Sequence, residues 1–174
     1  MINKFDIIIE QATSEEYLAI GEITYLAYQS IAGIPSERYH PFNLDLINTG
    51  ERANISGNII FAAKNKHTDE ILASVTLTLE TYNTEPLITL ENEAGIRMLS
   101  VSPQASGSGI GRLLVEKCIS KAKSLGKEKI LLHTIEPMVA ARSLYESFGF
   151  KRYPAMDVQR SSMDVLCYKL QLSK

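Results

Sequence analysis

The sequence predicts a mixed α/β fold in which strands and amphipathic helices alternate along the chain. Three observations carry this reading. Ile71–Glu80 alternates, with Val75, Leu77 and Leu79 facing one way and Thr76, Thr78 and Glu80 the other, which is the period of a strand with one wetter face. Ile110, Leu113, Leu114, Cys118, Ala122 and Leu125 recur at helical spacing and stop at Gly126. Between such segments the order runs strand, two helices, three strands, helix, strand, helix, strands, without a repeat or a linker-like tract. The 174 residues, 45% hydrophobic and 22% charged, fit one domain with a core of its own.

Each element has its own local reason. Phe5–Glu10 is a short β-branched run and reads as the first strand. Thr13 or Ser14 caps a helix whose first turn holds Glu15 and Glu16, and Leu18, Ile20, Ile23, Leu26 and Ala27 are expected to face a core. Residues 31–41 read as irregular, and a second helix is expected from Asn43 to about Ala53. Ile59–Ala63 is an apolar strand and Lys64–Asp69 a polar turn. Gly95–Val101, Lys129–Ile135 and Met163–Leu172 are further strands, the last with Leu166, Tyr168, Leu170 and Leu172 on one face. The helix carrying the second observation spans about Gly109 to Leu125. A later one spans about Val139 to Phe148, with Ala141, Leu144, Tyr145 and Phe148 on one stripe and Gly149 as its stop.

Composition narrows the function classes. Eighteen basic and twenty acidic residues give a net charge of −2, which argues against a nucleic-acid binder. No run approaches the 18 apolar residues of a membrane helix, and the amino-terminal apolar run is short for a signal peptide. The cytoplasm is the expected compartment. Cys118 and Cys167 lie in apolar-periodic segments and read as buried thiols rather than a disulfide. No His, Cys or Asp spacing suggests a metal site.

The informative segment is Met98-Leu-Ser-Val-Ser-Pro-Gln-Ala-Ser-Gly-Ser-Gly-Ile-Gly-Arg-Leu-Leu-Val115. A strand runs into Pro103, then a loop of small residues, then a helix. Glycines at 107, 109 and 111 let a ligand approach the backbone, and the first turn of a helix leaves its N–H groups unpaired at a positive dipole end. Together these favour a phosphate. Spacing excludes a P-loop, because Gly111 is followed by Arg112 and Leu113. It also excludes the dinucleotide fingerprint, whose last glycine would fall on Arg112 or Leu114.

This segment resembles the GCN5-related N-acetyltransferase superfamily. The resemblance follows element order throughout and is strongest from Arg97 to Arg152. Leu99-Ser-Val101-Ser-Pro103 matches the strand end that precedes the family's loop. Ala141-Arg-Ser-Leu144-Tyr145-Glu-Ser-Phe148-Gly149-Phe150 matches its later helix. Counting from Val101 and Pro103 places Ser106 where the family has a long polar side chain, and Gly109 and Gly111 at its two small positions. Met138 stands seven residues before Tyr145, where the family often has Asn, and is expected to pack instead.

The resemblance implies a mostly antiparallel mixed sheet of six or seven strands flanked by about four helices. It implies acetyl-CoA as co-substrate, no metal, and direct transfer to an amine in a ternary complex. The strand ending at Val101 would splay from Lys129–Ile135. Backbone at Leu99, Ser100 and Val101 would then hold the pantetheine arm, and amides from Ser106, Gly107, Ser108, Gly109, Gly111 and Arg112 the pyrophosphate. Tyr145 matches the family's general acid, against the plain reading of a core aromatic stripe. Glu93, with Glu91 behind it, is the acidic candidate for a base, against a solvated acidic turn.

Arg97 could bind an acidic substrate group or pair with a surface carboxylate. His133 reads as a structural strand histidine. Tyr25, Tyr28, Tyr39 and His40 could line an acceptor pocket or simply pack. The acceptor, a small-molecule or peptide amine, stays open, and a homodimer is compatible with an exposed C-terminal strand. The rival readings are a module that senses acyl-CoA without turning it over, and an interaction protein with no cofactor.

Overall fold

A computed structural model describes residues 6–29, 31, 48–80, 91–160 and 163–173. The alternating segments pair into an eight-stranded sheet, in the order β1-β2-β3-β4-β5-β8-β6, with β7 also on β8. The strands are β1 (Ile7–Gln11), β2 (Asn58–Asn65), β3 (Ile71–Thr78), β4 (Glu93–Val101), β5 (Lys129–Ile135), β6 (Lys151–Arg152), β7 (Val158–Arg160) and β8 (Met163–Gln171). Every pairing is antiparallel except β4 with β5. Four α-helices lie among the described residues: α1 (Tyr17–Gln29), α2 (Thr49–Asn54), α3 (Ile110–Ser124) and α4 (Val139–Ser147). Six longer strands match the expected sheet. The short β6 and β7, which carry no alternation long enough to read, raise the count.

The two-residue period of the strands divides the core between two faces. On one face Phe61, Ala63, Ala73, Val75, Leu77, Ala94, Ile96, Ile130, Leu132 and Tyr168 pack with Ile110, Leu114, Val115, Cys118 and Ala122 of α3 and with Tyr145 of α4. On the other, Ile60 and Ala62 meet Ala12 and Ile20, which brings α1 onto the sheet. A further group on Leu131 and Cys167 takes in Tyr153 and Met156. Both cysteines are free and buried, as expected.

Several expectations are corrected. The second face of β3 is not wet: Ser74, Thr76 and Thr78 are buried, because α1 packs across β3 and β4. α1 turns Ile20, Gly21 and Thr24 inward and leaves Leu18 68% and Leu26 48% exposed. Its apolar residues are spread too widely around the helix to share one stripe. Leu125 ends α3 exposed. Lys64 and Asn65 continue β2 rather than opening the turn, and β4 begins at Glu93. Helix α2 runs Thr49–Asn54. Phe5, most of the irregular segment and the expected helix start at Asn43 lie outside the described residues.

The feature that positions the site is a bulge in β4. Thr76 pairs with Arg97 and Ser74 with Ser100, so Met98 and Leu99 together oppose Val75. Met98 has φ +49°. A left-handed non-glycine residue costs about 1–2 kcal/mol, and a bulge bends its strand. Pairing between β4 and β5 runs from Glu93↔Lys129 to Ile96↔Leu132 and stops there. Beyond it, β5 continues on β8 alone, His133 to Ile135 pairing with Cys167 to Val165.

Candidate active site

The two strands therefore part at the bulge, as the resemblance implied. The edge of β4 that faced β5 has no strand partner from Arg97 to Val101 among the described residues. An extended chain entering this gap meets a ready-made row of backbone donors and acceptors. Leu99, Ser100 and Val101 line it.

The strand ends in a 3-10 turn, Pro103–Ala105, and the glycine loop follows. Gly107 (φ +76°) and Gly109 (φ +86°) take left-handed backbone, and a Cβ built on either meets nothing within 4 Å. The space over the loop is open. Gly109 is the N-cap of α3, and no acidic residue sits in the first turn to compete for an anion. Gly111, by contrast, is buried between Val101 and Leu144, where a Cβ would lie 3.5 and 3.6 Å from their side chains. It brings the start of α3 against the end of β4 and against α4.

Not every predicted amide is available. Ser106 N–H donates to Pro103 O (3.3 Å), Ser108 N–H to Ala105 O (3.2 Å) and Arg112 N–H to Gly109 O (3.1 Å). Ser108 Oγ also donates to Ala105 O (2.5 Å). These three residues shape the loop through their amides. Gly107, Gly109 and Gly111 keep N–H groups without a backbone partner among the described residues, as does Ile110, which the sequence reading passed over. The Arg112 guanidinium lies 4.5 Å from the centroid of the Phe148 ring and donates to Ser147 Oγ (2.6 Å). It ties the start of α3 to the end of α4. The open glycine backbone and the donors of the helix start fit a pyrophosphate.

Tyr145 stands on the inner stripe of α4, 6% exposed, with its ring 5.8 Å from that of Phe150. Burial, with Tyr28 and Cys118 as smaller contributors, pushes its phenol well above the usual value of 10.0. No group among the described residues hydrogen-bonds its hydroxyl. It packs as a core aromatic, the plain reading, and its burial keeps the hydroxyl protonated. Met138, at the start of α4, is half-buried and receives a hydrogen bond from Thr134 Oγ1 at Sδ (3.4 Å).

Glu93 is not in a solvated acidic turn: it is buried where β4 and β5 are still paired, 3.6 Å from Lys129 Nζ. Leu99 is six residues further on, about 20 Å away at the rise of a strand. The strand direction separates this carboxylate from the cleft. Glu91, two residues earlier, is further still.

His133 Nε2 donates to the Met156 carbonyl (2.8 Å), the structural role expected of it. That contact fixes the turn Pro154–Met156 beside β5, and a second device holds the same turn to β8. Arg152 makes two parallel bonds to Asp157 (2.9 and 2.7 Å), and Asp157 Oδ1 accepts the Cys167 N–H (2.7 Å). The Arg152 guanidinium holds the Asp157 carboxyl below the ordinary carboxylate range. Tyr25 takes a hydrogen bond from Gln29 (2.5 Å). Tyr28 lies on α1, within electrostatic reach of Arg52 and Arg97, and burial raises its phenol. Tyr39 and His40 lie outside the described residues.

The sequence reading missed a set of buried hydroxyls under the bulge. Ser100 Oγ lies 3.0 Å from Thr24 Oγ1 and 3.0 Å from Ser74 Oγ. Thr24 on the inward stripe of α1 was the available signal, since an unpartnered hydroxyl is costly there.

The Acetyltransferase (GNAT) family matches residues 23–150. An uncharacterized N-acetyltransferase of Dictyostelium discoideum is 35% identical over 77 residues, 44% of this chain and 36% of that protein. The curated relatives are matched over only about a fifth to a third of their own length. A GNAT-family acetyltransferase of Staphylococcus aureus Mu50 superposes with TM-score 0.71 at 21% identity, covering 96% of this chain and 99% of that one. The acetyltransferase YncA of Salmonella typhimurium, solved with acetyl-CoA, gives 0.69 at 20% identity over 97% and 95%. At these identities the structures establish a shared fold. No helix among the described residues is long and apolar enough to cross a membrane.

Proposed function

The chain belongs to the acetyltransferase (GNAT) family, and from that premise we propose that it moves an acetyl group from acetyl-CoA to an amine. The observation that carries the reading is the cleft. A strand edge and a tyrosine hydroxyl that have no partner among the described residues meet an open glycine loop at one place.

When bound, acetyl-CoA supplies an activated acyl thioester; the chain supplies the rest. The amides of Gly107, Gly109, Ile110 and Gly111 hold the pyrophosphate, and backbone at Leu99, Ser100 and Val101 holds the pantetheine arm. An N–H at Leu99 or Ser100 faces the charge that develops on the acyl oxygen. Tyr145, kept protonated by burial, donates its proton to the departing thiolate. With Glu93 held on Lys129, water takes up the proton of the amine. None of these steps calls for a metal. The acceptor is a small-molecule or peptide amine, reached in a ternary complex without an acyl-enzyme. A cytoplasmic site of action agrees with two cysteines that are both free.

The test is free-thiol release from acetyl-CoA across a panel of amines, with Tyr145→Phe as the control. The variant should lose about a hundredfold or more in turnover while binding acetyl-CoA as the parent does. Undiminished turnover would remove Tyr145 from the mechanism.

A further inference from the structure

The buried hydroxyls under the bulge form a chain whose direction follows from counting protons. Thr24 Oγ1 donates its one hydrogen to the Ile20 carbonyl (2.7 Å), which can only accept. Thr24 must therefore accept from Ser100 at 3.0 Å. Ser100, its hydrogen spent, must accept from Ser74 at 3.0 Å. The order is Ser74 to Ser100 to Thr24 to Ile20. Thr24, Ser74 and Ser100 are at most 2% exposed. A chain that ends on a carbonyl has nowhere to deliver a proton, so it is a clasp and not a proton relay.

Its position gives it a task. Ser100 is the first residue of β4 to regain pairing with β3 after the bulge, and the bulge begins where β4 leaves β5. Ser74 fixes Ser100 to the neighbouring strand, and Thr24 fixes it to α1. The left-handed Met98 lies two residues earlier. A bulge with a non-glycine residue in that conformation tends to relax unless both its feet are held. The pair Thr76↔Arg97 holds one foot and the three hydroxyls hold the other.

We infer that the Ser74–Ser100–Thr24 clasp sets the opening of the cleft, and that Thr24 and Ser74 are positioning residues for the pantetheine arm, acting through Ser100. The inference rests on the acetyl-CoA reading above and deepens it. It gives a helix on the face of the sheet opposite α3 and α4 a part in cofactor binding.

The test compares Thr24→Val with Thr24→Ser. Valine keeps the shape and removes the oxygen; serine keeps the oxygen and removes a methyl. Dissociation constants are measured by calorimetry, well below the unfolding temperature, for two probes: acetyl-CoA, and 3′-phospho-ADP, which reaches only the glycine loop. Thr24→Val should weaken acetyl-CoA about tenfold or more, as expected for a lost buried hydrogen bond. Its affinity for 3′-phospho-ADP should not change, and Thr24→Ser should match the parent for both probes.

Should Thr24→Val fail to fold, Ser74→Ala is measured in its place with the same expectation. A variant that binds acetyl-CoA like the parent overturns the inference. So does equal weakening of both probes, and so does Thr24→Ser behaving like valine, which would make the site one of packing. A parent protein that binds neither probe would instead bring down the acetyl-CoA reading, and this inference with it.

Discussion

Tyr145 carries the proposed chemistry, and its environment sets the expected pH dependence. Burial raises its phenol above the usual 10.0, so it remains a proton donor throughout the neutral and mildly alkaline range. The turnover rate should therefore rise with pH as the amine deprotonates, with no falling limb from Tyr145 below pH 10. A decline centred near pH 8–9 would contradict this. At Gly109, any side chain must adopt φ +86° and enter the open space over the loop. Gly109→Glu adds a negative charge where a pyrophosphate is placed, and should abolish acetyl-CoA binding while the fold survives. The motif residues were legible because each has a local signature: alternate glycines after a strand, and a tyrosine four residues before a helix-stopping glycine. Thr24 was not, because its role depends on Ser100, 76 positions away.

At the scale of elements, β4 does the most. Its first four residues pair with β5, its bulge turns it away, and its last residues line the gap. Glu93 belongs to the paired part, so Glu93→Gln should leave the pH–rate profile unchanged and affect stability alone. The break between these halves is the step of three from Ile96 to Leu99, against two from Leu99 to Val101, and it was passed over because apolar Met98 fills the step and lets Gly95–Val101 read as one strand.

The turn held by Arg152 and Asp157 makes a different prediction. Asp157 has a folded-state pKa below 3.8, chiefly from its bond to Arg152, so its contribution is present above pH 3.8 and is lost as pH falls through the lowered value. Both side chains are about a quarter to a third exposed, which limits that contribution to about 1 kcal/mol. Asp157→Asn should lower the melting temperature at pH 7 and narrow the difference from the parent near pH 3. An equal difference at both pH values would show that the carboxylate charge is not what holds the turn.

For the molecule as a whole, helices pack on both faces of one sheet, and the gap between β4 and β5 is where two of its long neighbouring strands part. The order of elements, the long strands and the helices α3 and α4 were legible because their hydrophobic periods are long and their stops are glycines. The burial of the second face of β3 was not, since Thr76 and Thr78 carry a wet pattern until α1 covers them. Both thiols lie inside this body. Burial pushes Cys118 up to about 12 and is the main cause lifting Cys167 to about 11. Neither should react with a thiol reagent at pH 8 until the protein is unfolded, when both should. Rapid labelling of the native protein would mean the core opens more readily than its packing implies.

The most direct test of the central claim is a calorimetric titration of the protein with acetyl-CoA. A single site with a dissociation constant of about 10–100 μM, or roughly −7 to −5.5 kcal/mol, is the predicted result. No heat and no thermal shift at millimolar acetyl-CoA would mean that the open loop and the parted strands do not hold this cofactor, and would contradict the account.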